Sequence, residues 1–273
     1  NWCQDPDHET LVMGIVNVTP DSFSDGGQFY HPEKAIIHAI QLINDGADII
    51  DIGGESSRPG ANHVLLQEEL ERTIPVIQKI RQTSPDTLIS IDTYKSEVAI
   101  QAIEAGANMI NDISGLTMDE TMPNIAADLG VPIVIMHMQG TPANMQIKPR
   151  YKDLILDITS FFSDQIKLAN TAGIKMERII LDPGIGFGKT IDHNFQLIQN
   201  LNEFCKLGYP ILIGPSRKSF IGTTLDLPTE DRLEGTSAVV TAGIMNGARI
   251  VRVHDVKEIK RVVTITEKIR TAA

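Results

Sequence analysis

The feature that most constrains this chain is a repeated junction in which a segment of helical period ends at glycine and a short apolar, β-branched run follows. It occurs at Gly46 before the run 49–52, Gly106 before Met109-Ile110, Gly130 before 133–136, Gly173 before 179–181, Gly208 before 211–213 and Gly247 before Ile250-Val251. Glycine tolerates the left-handed backbone that closes a helix, and a short apolar run without alternation suits a strand buried on both faces. A seventh junction, before 88–91, uses Ser84-Pro85 instead, and residues 11–15 supply the first strand. The intervening segments have helical period. The first opens at His31-Pro32 and puts Ile36, Ala39, Ile40 and Ile43 on one face; others are expected over 66–81, 95–105, 119–129, 151–172, 194–206, 232–245 and 256–269. Strand then helix, eight times, with no Ser/Pro-rich linker, predicts a single α/β domain over 1–273 folded as a (β/α)8 TIM barrel. An open doubly wound sheet is the alternative architecture.

Charge and composition narrow the partners. With 24 basic and 35 acidic side chains the net charge is -11, which argues against nucleic-acid and membrane-surface partners, since both require clustered positive charge. The longest apolar runs are strand-length, far short of the roughly 18 residues expected of a membrane span. The opening Asn1-Trp2-Cys3-Gln4-Asp5-Pro6-Asp7 has neither the basic nor the apolar region of a signal peptide. Cys3 and Cys205 are too few for a disulfide framework and lack zinc-ligand spacing, so a reduced, cytoplasmic protein is expected.

In a parallel barrel the active site lies at the carboxyl ends of the strands, and long loops there tend to be functional. The longest gaps in the pattern, 16–30 and 53–64, both follow strands. Strand ends carry Asn17, the stretch from Glu55 to Arg58, Asp92, Asn111, Asp112, His137, Asp182, Ser216, Arg217, Lys218, Arg252 and His254. Carboxylates and amides suit a flat polar heterocycle, while Arg58, Lys218, Arg252 and His254 are the local cations that an acidic protein would need to hold an anion. Nothing in the set resembles a Ser-His-Asp or Cys-His arrangement.

The glycine-rich stretch Asp182-Pro183-Gly184-Ile185-Gly186-Phe187-Gly188-Lys189-Thr190 is a decoy. It ends like a phosphate-binding P-loop, but Pro183 stands where that loop needs its first glycine and offers no N–H to a phosphate. Its glycines also fail the dinucleotide spacing. Asn17-Val18-Thr19 matches a glycosylation site by letters only, and no His, Asp and Glu cluster has the spacing of a transition-metal site.

The ordered motifs resemble those of the dihydropteroate synthase family. Met13-Gly14-Ile15-Val16-Asn17-Val18-Thr19-Pro20-Asp21-Ser22-Phe23-Ser24-Asp25-Gly26-Gly27 is similar to the family's first signature, and Asp51-Ile52-Gly53-Gly54-Glu55-Ser56-Ser57-Arg58-Pro59-Gly60 to its second. The resemblance continues through Ser90-Ile91-Asp92-Thr93, Ile110-Asn111-Asp112, Met136-His137-Met138-Gln139-Gly140, the 182–189 loop, Ser216-Arg217-Lys218 and Arg252-Val253-His254-Asp255. Ser57 departs from the usual threonine. The resemblance implies a barrel enzyme of folate synthesis that joins 6-hydroxymethyl-7,8-dihydropterin diphosphate to 4-aminobenzoate with loss of diphosphate, and that sulfonamides occupy as mimics of the amine. It further implies that Asp92, Asn111, Asp182, Lys218 and Arg252 line a pterin pocket; that Asn17, Arg58, Arg252 and His254 hold the diphosphate, with Mg²⁺ on Asn17; and that Phe23, Ser57, Pro59, Phe187, Ser216, Arg217 and Lys218 form the 4-aminobenzoate site. Catalysis would fall to Asp92, Lys218, Arg252 and Asn17, in a homodimer. Two rivals are a pterin-dependent methyltransferase of similar fold, which has no need of a diphosphate loop, and a barrel that binds its ligand without turnover.

Overall fold

A computed structural model of the chain describes residues 9–19, 32–58, 60–61 and 63–272. Most of the first long loop, including Phe23, lies outside the described residues, as does Pro59. The strands are β1 Leu11–Asn17, β2 Ile49–Gly53, β3 Leu88–Asp92, β4 Met109–Asp112, β5 Ile133–Met136, β6 Ile179–Asp182, β7 Ile211–Ile213 and β8 Ala248–Val253. They pair in chain order, all parallel, and β8 closes onto β1 with Leu11 opposite Ile250 and Gly14 opposite Val253. The closed barrel is the predicted fold, and the open-sheet alternative falls.

The helices are α1 Pro32–Asn44, α2 Leu66–Thr83, α3 Ser96–Glu104, α4 Met122–Leu129, α5 Leu154–Ala172, α6 Ile191–Gln199, α7 Leu201–Cys205, α8 Ser219–Leu225, α9 Leu233–Met245 and α10 Val256–Arg270. Two differences from the periodicity have local causes. The segment expected over 194–206 starts earlier, where the Thr190 hydroxyl accepts from the His193 N–H to cap it, and breaks at Asn200 into α6 and α7. The segment expected from 151 starts at Leu154, because the Asp153 carboxylate accepts the N–H groups of Ile155 and Leu156 at 3.1 Å each. Helix α8 has only seven residues, too short for a period to register.

All six junction glycines adopt positive φ, between 64° and 115°. The core then divides in two. Helix-facing side chains form a continuous layer between strands and helices, while Met13, Ile49, Met109, Val134, Ile180, Leu212 and Ile250 form a separate cluster filling the barrel interior. Successive strand residues face opposite sides, so two residues beyond each plug residue the chain again points inward. Those next positions include Asp51, Asn111, Asp182, Gly214 and Arg252, and Ser90 followed by Asp92 continues the inward row of Leu88. The interior is therefore an apolar floor under a polar ceiling.

Two junction glycines separate backbone strain from crowding. A Cβ at Gly46 (φ 97°) would meet Lys260 Cγ at an ordinary 3.4 Å, whereas at Gly247 (φ 105°) it would lie 2.5 Å from Cys205 Sγ. Gly46→Ala is expected to cost about 1–2 kcal/mol, the price of left-handed backbone alone. Gly247→Ala should cost more in urea unfolding, and equal losses would contradict this account.

Candidate active site

The polar ceiling is organised around one guanidinium. Arg252 on β8 donates from Nε to Asp51 Oδ2 at 2.6 Å and from Nη2 to Asp92 Oδ2 at 2.7 Å, while Asn111 Nδ2 reaches the same Asp51 oxygen at 3.1 Å. Asp51 is fully buried, and Asp92 and Asn111 nearly so. Strand register creates the cluster: Gly53 on β2 pairs with Asp92 on β3, and Asp92 with Asn111 on β4. Asn17, at the end of β1, pairs with Gly53 and extends the same row. Burial pushes the Asp92 carboxyl up to about 7, with Asp51, Glu69 and Asp112 adding to the rise and Arg252 opposing it. Burial alone would lower the Arg252 guanidinium, but Asp51 and Asp92 outweigh it and hold it above its ordinary value.

Across the barrel, Asp182 ends β6 and its Oδ1 accepts the Gly184 N–H at 2.7 Å. Burial raises this carboxyl, opposed by Lys218, the Gly184 hydrogen bond, Lys189 and Arg252. The Lys218 ammonium donates to the Ile185 carbonyl and lies 4.4 Å from the centre of the Phe187 ring. Burial pulls it down to about 7; Asp182 and Asp92 resist, while Arg252 assists. Gly214 leaves open the space between the two cations, since a Cβ there would approach Arg252 Cβ at 3.8 Å and Lys218 Nζ at 4.0 Å.

The 182–189 loop packs tightly against the 137–139 backbone. A Cβ on Gly184 would fall 1.9 Å from the His137 carbonyl oxygen, and one on Gly188 2.6 Å from that of Gln139. Lys189 turns inward beneath the loop, with Nζ 3.0 Å from His137 Nδ1, 3.3 Å from the His137 carbonyl and 2.9 Å from the Phe187 carbonyl. It is 3% exposed. This lysine fastens the loop to His137, just beyond β5, and is turned away from any phosphate in the barrel mouth, which agrees with rejection of the P-loop reading. His137 packs edge-on against Phe161 at 4.9 Å, and burial followed by Lys189 draws its imidazole down to about 2. It is a packing group.

The anion side differs in detail from the sequence reading. Ser216 Oγ lies 3.0 Å from His254 Nδ1 and accepts the His254 N–H at 3.1 Å. Burial, then Arg252 and Arg217, pull the His254 imidazole down to about 3, so it stands here as a neutral group. Arg217 and Lys218 do not converge. Arg217, with left-handed backbone (φ 56°), directs its guanidinium away to both oxygens of Asp255, and only Lys218 enters the interior. Arg58 is exposed, Asn17 and Ser57 are half-buried, and Ser57 lines a narrow cleft with Asp92, Tyr94 and Pro142.

Thus the structure gathers Asp92, Asn111, Asp182, Lys218 and Arg252 at one end of the barrel, with Asn17, Ser216, Phe187 and His254 at its rim. Asp51, the acceptor that unites Arg252 and Asn111, was missed as a site residue. Its signal was present: an acidic residue among isoleucines, two positions after the plug residue Ile49. Asp112 proves to be a loop cap, its two oxygens accepting the Ser114 and Leu116 N–H groups at 2.8 and 2.9 Å. Among the described residues no group of three or more His, Cys, Asp or Glu is arranged to hold a metal.

The sequence matches the family described as pterin binding enzyme over residues 13–254. A dihydropteroate synthase from Synechocystis is 52% identical over 259 residues, covering 94% of this chain and 89% of that protein. Among solved structures, the Yersinia pestis dihydropteroate synthase with a sulfonamide drug superposes with a TM-score of 0.92 at 46% identity, covering 97% of this chain and 95% of that one. The Xanthomonas albilineans dihydropteroate synthase in complex with 7,8-dihydropteroate has a TM-score of 0.88 at 38% identity, covering 98% and 96%. With family match, global similarity and barrel architecture in agreement over nearly the whole chain, this protein belongs to the dihydropteroate synthase family of pterin-binding enzymes.

Proposed function

We propose that this chain, acting as one barrel unit, condenses 6-hydroxymethyl-7,8-dihydropterin diphosphate with 4-aminobenzoate to give 7,8-dihydropteroate and diphosphate. The observation that carries this reading is the ring of buried carboxylates and amide, with half-buried cations beside them, inside the mouth of a barrel of this family. A flat heterocycle with N–H donors on one edge and carbonyl and ring nitrogen acceptors elsewhere matches Asp92, Asn111, Asp182, Lys218 and Arg252, with Asp182 accepting from the amino-pyrimidinone edge. Asn17, Arg58, Arg252 and His254 hold the diphosphate. Arg252 has N–H donors beyond the two that serve Asp51 and Asp92. His254 contributes as a hydrogen-bonding group in its neutral form. Phe23, Ser57, Pro59, Phe187, Ser216, Arg217 and Lys218 bound the 4-aminobenzoate site, the last through its stacking on Phe187 and Arg217 through its position, since its guanidinium is engaged by Asp255.

The lone pair of the aromatic amine forms the new C–N bond as the C–O bond to diphosphate breaks, and one amine proton departs. Positive charge grows on the pterin methylene while negative charge grows on the leaving oxygen. Asp92 sits where it favours the first, and Arg252 and Lys218 favour the second; groups already buried and oriented do so without reorganising solvent. The donor set suits Mg²⁺: Asn17 offers one neutral oxygen at the end of β1, and that ion takes one or two protein oxygens with phosphate and water completing its shell. Bound there with the diphosphate, it would offset leaving-group charge. A homodimer is supported by exposed Met245 on α9 and exposed Ile265 and Ile269 on α10, and a cytoplasmic location by the free, half-buried Cys205. Light scattering tests the first.

Release of diphosphate together with a dihydropteroate product from the purified protein and both substrates tests the reaction; no release with both present would sink it. The pH dependence follows from two buried groups. Asp92 must be ionised, so kcat/KM falls as pH drops through about 7; Lys218 must carry its proton, so it falls as pH rises through about 7. A narrow bell is expected, with Asp92→Asn shifting the acidic limb to lower pH, where Asp182 still titrates, and Lys218→Met removing the alkaline limb; unchanged limbs in both variants would contradict these assignments.

The two aspartates should differ. Asp92→Asn is nearly isosteric but removes charge near the reacting carbon, and should lower kcat by on the order of a hundredfold with a smaller change in pterin affinity. Asp182→Asn should chiefly weaken pterin binding, because its contacts exist equally in ground and transition states. Direct pterin binding and single-turnover rates separate the cases; identical profiles would mean that both do one job.

A further inference from the structure

Outside the ring just described, a largely buried polar cluster lies at the root of the β2–α2 loop. We propose that Lys95 is a positioning residue that clamps this root to the end of β3 and so holds Ser57 and Arg58 toward the substrates, an inference resting on the reaction proposed above.

Lys95 Nζ donates to Glu55 Oε2 and Glu69 Oε2 at once, and lies 4.8 Å from the centre of the Tyr94 ring. The Tyr94 hydroxyl donates to the Glu55 carboxylate, 3.0 Å from Oε1 and 3.1 Å from Oε2. Side-chain exposure is 13% for Lys95, 15% for Glu55 and 1% for Glu69. These are groups with little water to replace a lost partner, unlike a surface ion pair. One residue earlier, the Gly54 carbonyl accepts from Arg72 Nη1 at 2.6 Å, and a Cβ on Gly54 would collide with Thr73 Cγ2 at 2.8 Å and Glu69 Cγ at 2.9 Å. The loop therefore leaves β2 pressed onto α2 and is at once tied sideways to Tyr94 and Lys95.

Tyr94 and Lys95 are the second and third residues after Asp92, so the tie joins the loop to the strand end that carries a central carboxylate of the site. Glu55, Ser57, Asp92 and Tyr94 line one cleft, which places clamp and site in a common wall. Beyond Glu55 the chain emerges: Ser57 is half-buried and Arg58 exposed. Charge makes the lysine decisive. It stands between two carboxylates, and without it Glu55 and Glu69 repel across the gap. Glu69 is held on α2, so Glu55 and the loop behind it move.

The test compares wild type with Lys95→Met, Lys95→Arg and Tyr94→Phe. Lys95→Met should raise the KM for 4-aminobenzoate and for the pterin diphosphate by on the order of tenfold, since small misplacement of orienting groups is costly. Affinity for 6-hydroxymethylpterin lacking the diphosphate, held by Asp92, Asn111 and Asp182, should stay within about twofold. Lys95→Arg keeps charge and donors and should recover most of the loss. Amide exchange over 56–58 should quicken in Lys95→Met and return in Lys95→Arg. A folded Lys95→Met with unchanged KM values and exchange, or with all three ligands weakened equally, overturns the proposal. If Lys95→Met does not fold, Tyr94→Phe decides by the same split in smaller measure, and an unchanged split there overturns it. If wild type releases no diphosphate, the reaction is wrong while exchange still judges the clamp.

Discussion

The polar interior depends on one guanidinium, its side chain 19% exposed, shared between two buried carboxylates. Arg252 joins β8 to β2 through Asp51 and to β3 through Asp92, and Asn111 joins from β4 on the same Asp51 oxygen. Charges this deep are tolerated only when paired and hydrogen-bonded. Truncating any member would strand the others in low dielectric, so the cluster constrains four strands at once. It also leaves two groups near neutrality, Asp92 raised to about 7 and Lys218 lowered to about 7, each primarily by burial. A site in that condition responds strongly to an anionic ligand, because the ligand alters the balance that sets both protonation states.

A second constraint is closeness of backbone. The 182–189 loop lies against the 137–139 segment that follows β5, with no room for side chains at Gly184 or Gly188, and Lys189 secures it from beneath. This closeness brings the Ile185 carbonyl and the Phe187 ring to Lys218. The glycines that mimic a nucleotide loop by letters serve packing, and the lysine that mimics a phosphate binder is an internal strut. On the opposite side the Glu55, Tyr94 and Lys95 cluster performs a comparable task for the β2–α2 loop.

Much of the fold was legible because its signals are local. Each junction glycine that predicted a helix end has positive φ, and each apolar run that follows became a strand. Helix α8 and the break at Asn200 were not legible, since seven residues carry too little period and a break without Gly or Pro leaves no mark. Among site residues, Asp92, Asn111, Asp182, Lys218 and Arg252 were visible as polar groups at strand ends. Asp51 was hidden by an expectation that the strands are apolar on both faces, although a period of two from Ile49 points it inward. The partnership of Arg217 with Asp255 was invisible, because it joins residues 38 apart.

The sequence by itself determined the order of strands and helices, the end of the barrel at which chemistry collects, and the inventory of charged and amide groups available there. These follow from periodicity, glycine and turn chemistry within a few residues of chain. Tertiary structure alone decided which of those groups act together. Barrel closure brings Arg252 to Asp51 across 201 residues of chain and to Asp92 across 160. Burial, which no local pattern encodes, sets their charge: it makes His254 neutral, lowers Lys218 and raises Asp92. A side chain's type is written in the chain, but its protonation state depends on how much water and which partners the fold leaves around it.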